Sequence, residues 1–235
     1  MTDTLKNTAP ELFSADSLFA RLRAATGPDW PAYTGHEFVR RLGDGTLPEQ
    51  CFRHYLVQDY LFLIHFARAY ALAAYKSDTI EDIRAASRTV AALVDTEMSL
   101  HVTYCAGWGL TEADMQATTE APANMAYTRF VLERGAAGDV LDLHTALAPC
   151  VVGYAEIGRA LAADPATRTE GNPYAEWIGM YGGEEYQATA RGAVARLDDL
   201  GARRGADARF ESLAATFSAA TRLEAGFWDM GMGAG

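Results

Sequence analysis

"TLPEQCFRHYLVQDYLFLIHF", residues 46–66, starts like a helix and then stays apolar for several turns. Thr46 is an N-cap candidate, Pro48 falls in the first turn, and Glu49 stands three residues after the cap. No two-residue alternation of a strand interrupts the run. The spacing predicts one long helix to about Tyr75.

The same grammar recurs on both sides. Helices are expected from Ser14 or Asp16 to Ala25, stopped by Gly27-Pro28, and from His36 to Leu42, ended by "GDG". Thr79 opens one that reaches about Gly107. Thr111, Asn124, Asp139, Pro173, Glu184 and Ala208 begin the others. Short connections between amphipathic helices predict an all-α, single-domain helical bundle over residues 1–235. Residues 1–10 and 231–235, the latter reading "GMGAG", are expected to be flexible tails.

Charge and composition exclude several classes of function. Asp plus Glu outnumber Lys plus Arg by 31 to 20, a formal charge of -11. Nucleic acid and anionic membrane both select cationic faces, so neither is an expected partner. Met1–Asn7 is polar and does not read as a secretory signal, and no apolar run of membrane-spanning length is evident. Cys51, Cys105 and Cys150 are odd in number and widely spaced, which fits free thiols in a reducing cytoplasm. Lys6 and Lys76 are the only lysines, which disfavours Schiff-base catalysis.

Three residues stand on faces where they do not belong. Asp59 has Tyr55, Leu56, Phe62 and Leu63 three and four positions away. It is either a structural acid tied to a helix end or an arginine, or part of a site. Glu224 has Ala220, Thr221, Phe227 and Trp228 as its helical neighbours. An acid among aromatic rings has a raised pKa suited to proton transfer, unless it is a solvated residue at the stripe's edge. Cys150 follows Pro149, which cannot donate to the Thr145 carbonyl and opens that turn. Gly153 and Tyr154 share the cysteine's face, one leaving space and the other offering a ring. Cys150 is thus a pocket-lining nucleophile or an inert buried thiol, whereas Cys51 and Cys105 read as structural.

Glu97 and His101 sit four apart on one helix face, half of a carboxylate–histidine metal site. The other histidines have no glutamate three or four residues away, so a Glu–His hydrogen bond is the simpler reading. No GxSxG motif occurs, and the glycine clusters follow no strand, which argues against a serine triad and a phosphate loop.

"DGTLPEQCFRHYLVQDYLFLIHFAR", "EMSLH", "AYTRF", "LAPCVVGYAEIG", "YAEWIGMYGGEEY" and "RLEAGFWDM" follow one another in an order that resembles the TenA family. These are the thiaminase II, or aminopyrimidine aminohydrolase, proteins. The resemblance runs from about Pro31 to Met230 and implies a haem-oxygenase-like fold, assembled as a homotetramer. It implies Cys150 as nucleophile, Asp59 as the holder of an aminopyrimidine and Glu224 as acid/base. Tyr127, Tyr154, Tyr181 and Phe227 fall on its aromatic wall positions. Two positions depart from the family pattern: a tyrosine of its aspartate motif appears here as Phe62, a substrate-binding candidate that lacks the hydroxyl, and Val151 stands where an aromatic residue is frequent. The implied activity, in thiamin salvage, is deamination of 4-amino-5-aminomethyl-2-methylpyrimidine, or cleavage of thiamin, with no metal and no cofactor. The alternatives are a non-catalytic pyrimidine-binding or regulatory protein on the same scaffold, and a metal-dependent oxidase using Glu97 and His101.

Overall fold

The computed structural model describes residues 11–168 and 170–233, and among them there are helices and no strands. In chain order the helices are α1 (Leu18–Ala25), α2 (Asp29–Thr34), α3 (Glu37–Asp44) and α4 (Glu49–Lys76). Then come α5 (Ile80–Ala91), α6 (Met98–Ala106), α7 (Glu112–Ala117) and α8 (Pro122–Ala137). The last four are α9 (Val140–Ala163), α10 (Ala175–Gly182), α11 (Glu184–Arg204) and α12 (Phe210–Met232). A π-helical segment, Ala92–Glu97, joins α5 to α6.

Capping side chains set five of the twelve starts. Ser17, Thr79 and Asp139 accept backbone N–H groups at the heads of α1, α5 and α9. Thr111 and Asp139 each form a full capping box, with Asp114 and Asp142 reaching back. Thr46 does not cap α4. Its amide and hydroxyl both donate to the Asp44 carboxylate, closing the turn after α3, and α4 begins behind Pro48. The six-residue α2 falls between the helix expected to stop at Gly27-Pro28 and the one expected from His36, where no helix was expected.

α9 runs through the centre, packed against α4, α8, α10, α11 and α12. It is the one helix among the described residues long and apolar enough to cross a membrane, contrary to the expectation of no such run. Its apolar window is 78% buried inside the fold, which accounts for that composition. α5 is tied to α11 by Asp82, which accepts from Arg196 at 2.5 Å and Arg203 at 3.0 Å. The tail expected to fray is helical through Met232, and Gly231 is buried against Phe38 and Tyr55. Residues 1–10, 234 and 235 of the expected tails lie outside the described residues.

Gly158 lets α9 and α10 touch backbone to backbone: a Cβ there would stand 2.4 Å from the Tyr181 carbonyl carbon. Main chain cannot yield as a side-chain tip can, so Gly158→Ala must push α10 outward. Overpacking of this kind costs about 1–3 kcal/mol. The expected result is a melting temperature lowered by roughly 3–10 °C in a calorimetric scan, and an unchanged value would show that the two helices are free to part.

Candidate active site

Asp59, Phe62, Cys150, Tyr154 and Tyr181 line one cavity of about 460 Å³, together with Glu97, Tyr70, His144 and Tyr186. α4 supplies the first two, α9 the cysteine and Tyr154, and α10 supplies Tyr181. Cys150 is only partly covered and faces this space, whereas Cys51 and Cys105 are buried. Glu224, Tyr127 and Phe227 stand in the layer behind the cavity wall. Glu224 is 2% exposed, which excludes the solvated reading.

The Glu224 carboxyl accepts from the Tyr127 hydroxyl at 2.7 Å, and its charge acts on the Cys150 thiol. Burial pushes Glu224 up to about 8, with Asp59 adding to the effect and the Tyr127 bond opposing it. Burial also raises the Cys150 thiol well above its usual range, and the charges of Glu224, Asp59 and Glu97 raise it further. The resting sulfur is therefore a thiol. It becomes a nucleophile only as its proton leaves.

Asp59 is 5% exposed and pairs with neither an arginine nor a helix end. His101 lies 2.7 Å from it through Nε2, while His101 Nδ1 lies 2.9 Å from the Glu97 backbone carbonyl. Both ring nitrogens thus meet acceptors, which favours the imidazolium. Burial opposes that charge, but the Asp59 carboxylate outweighs it and His101 titrates above its ordinary range. The Tyr55 hydroxyl joins this group at 3.5 Å from Asp59 and 3.4 Å from the Tyr154 hydroxyl, and it accepts from Trp177 Nε1 at 3.2 Å. The expected side-chain bond between Glu97 and His101 is replaced by a bond to the Glu97 main chain. Among the described residues no three metal-ligating side chains converge, and His101 has no lone pair to spare.

Rings close the walls. Phe62 lies 5.2 Å from Tyr127 and 5.7 Å from Phe227, and Tyr154 lies 4.9 Å from Tyr181, centroid to centroid. Gly153 does not open space beside the sulfur. A Cβ there would meet the Tyr33 ring at 2.4 Å, and the Tyr33 hydroxyl donates to the Pro149 carbonyl at 3.4 Å. The side chain of α2 therefore fills the gap behind the proline turn, and the void lies on the other side of Cys150.

A family model described as the TENA/THI-4/PQQC family matches residues 23–234. The chain belongs to this family. An uncharacterised protein of Haemophilus influenzae is 38% identical over 87% of this chain and 94% of its own length. An aminopyrimidine aminohydrolase of Halalkalibacterium halodurans is 33% identical over 91% of this chain and 95% of its own. A solved structure from Silicibacter sp. TM1040, described as a TenA family transcription regulator, is 51% identical. It superposes with a TM-score of 0.86 over 92% of this chain and 96% of that one. In this TENA/THI-4/PQQC member both departures, Phe62 and Val151, line the cavity, so each alters the wall that a ligand would meet.

Sequence reading missed Tyr55, Tyr33 and Trp177 as parts of the site. Tyr55 had a signal, since it lies one turn before Asp59 on the same face. Tyr33 had none, because no helix was expected over residues 29–34.

Proposed function

We propose that this chain is a thiamin-salvage hydrolase, an aminopyrimidine aminohydrolase that works through a cysteine-bound intermediate. The observation that carries the reading is the Cys150 thiol, lining one cavity with Asp59 of a neighbouring helix, while the buried Glu224 is close enough for its charge to act on the sulfur. The name of the Halalkalibacterium relative supports the same reaction here.

A flat aminopyrimidine stacks on the rings of Phe62, Tyr154 and Tyr181. Asp59 accepts from its exocyclic amine, and His101 holds that carboxylate in place. The sulfur of Cys150 then adds to an electron-poor ring carbon, forming a C–S bond. Glu224 acts as a neutral acid, giving its proton to the adjacent ring nitrogen while taking the thiol proton on its other oxygen. The adduct's electrons expel the nitrogen substituent from the exocyclic methylene, breaking the C–N bond. Water bonds that carbon. The C–S bond then breaks, and the proton relay runs in reverse to restore the thiol and release a hydroxymethylpyrimidine. With thiamin the departing nitrogen belongs to the thiazolium ring. The free thiol this requires is at home in a reducing cytoplasm.

The test is an ammonia-release assay with 4-amino-5-aminomethyl-2-methylpyrimidine, run beside thiamin cleavage followed by mass spectrometry. Ammonia and the hydroxymethyl product in equal amounts are the expected result. Tight calorimetric binding with no product from either compound would replace the hydrolase with a pyrimidine-binding protein.

A further inference from the structure

Resting on the hydrolase reading, we infer that Glu97 receives the cationic leaving group of the substrate, the ammonium of an aminomethylpyrimidine or the thiazolium of thiamin. Glu97 closes the π-helical segment, whose wide turn is a local departure often found at functional sites. It lines the cavity with Asp59 and Cys150. The same cavity is lined by Tyr154 and Tyr181, so a ligand seated against the rings and Cys150 would share the space with the Glu97 side chain. Among the described residues its side chain makes no hydrogen bond and no ion pair, unlike every other acid of the site: Asp59 holds His101, and Glu224 holds Tyr127.

Glu97 is half-buried at the cavity wall, and a carboxyl held there without a protein partner is free to meet a ligand's charge. Burial pushes Glu97 up to about 7, with Asp59 adding to the effect and His101 opposing it. A cation arriving from outside would supply the missing charge. Both substrates of the proposed reaction bring one, at the same exocyclic methylene. Neither arginine of the cavity pairs with Glu97: Arg196 is bound to Asp82, and no ion pair joins Arg88 to Glu97.

The same carboxylate completes the proton balance. When the C–N bond breaks, its electron pair leaves with nitrogen as ammonia, and the positive charge passes to the ring and methylene. Water bonds the methylene carbon and its released proton goes to Glu97, which hands it to ammonia as ammonium.

The test compares Glu97→Gln and Glu97→Asp by calorimetry in a Cys150→Ser background, where ligand is not consumed. The probes are the aminomethylpyrimidine cation and the neutral hydroxymethylpyrimidine. Glutamine should weaken binding of the cation about 10- to 100-fold, the range of a charge-assisted hydrogen bond, and leave the neutral ligand within about threefold. Aspartate should recover part of the loss. In the Cys150 protein, Glu97→Gln should lower kcat/KM for ammonia release by a similar factor. Equal weakening of both ligands, or of neither, overturns the inference. If the wild-type chain releases no ammonia, the hydrolase reading falls while the binding comparison still judges Glu97. If it binds neither pyrimidine, both fall.

Discussion

Cys150→Ser should lower ammonia release by at least about 10³-fold while changing the affinity for hydroxymethylpyrimidine by less than about threefold. Loss of an enzyme's nucleophile costs rates of this order and more. The serine hydroxyl fits the space but is a far poorer nucleophile, and the three neighbouring carboxyls oppose its ionisation as they oppose that of the thiol. The ring-lined walls and Asp59 remain, so binding survives. An inert buried cysteine would give the opposite pattern, a small loss of stability with turnover intact. Alkylation adds a second readout. Because burial and nearby acids keep Cys150 protonated, iodoacetamide should label it slowly at pH 7, and the rate should still be climbing at pH 9. A plateau below pH 8 would mean a resting thiolate and would remove the need for Glu224 to take the proton.

What local pattern can reveal is a residue on the wrong face. Asp59 and Glu224 stood in apolar stripes and Cys150 followed a helix-breaking proline; Asp59 and Cys150 line one cavity, and Glu224 is buried behind its wall. Local pattern cannot reveal who occupies the space opposite. His101 lies 42 residues from Asp59 along the chain, so their pairing is set by how α4 and α6 pack and not by either helix alone. Gly153 read as an opening because nothing in its own helix fills it, yet Tyr33 from α2 does. Thr46 had the composition of a cap, but α4 starts only at Glu49 with Pro48 at the cap position, and Thr46 belongs to the turn closed by Asp44. Gly231 lacked any side chain to pack, yet the absence of one is what lets α12 close on Phe38. The π-helical segment Ala92–Glu97 joins α5 to α6, and no residue type announces it.

Glu224→Gln should lower ammonia release by about 10²- to 10⁴-fold, the usual worth of a positioned acid/base, and yet stabilise the fold in alkaline solution. The carboxyl titrates at about 8 when folded, against an ordinary value of 4.5. Between these values the folded chain holds a proton that the unfolded chain has lost. Its stability contribution is therefore complete below about pH 4.5 and is lost as pH rises toward 8. Above that the buried group carries an uncompensated charge. Glutamine still accepts from Tyr127 but never ionises, so the variant escapes the loss. At about 1.4 kcal/mol per unit the difference reaches a few kcal/mol, or roughly 5–10 °C in melting temperature for a chain of this size. The margin over wild type should be near zero at pH 4.5, widen through pH 6 and 7, and level off above pH 8. Wild-type turnover should fall over the upper part of the same range as the neutral acid disappears. A margin that is constant with pH would mean that Glu224 titrates normally, and the proton relay from Cys150 to the ring would lose its carrier.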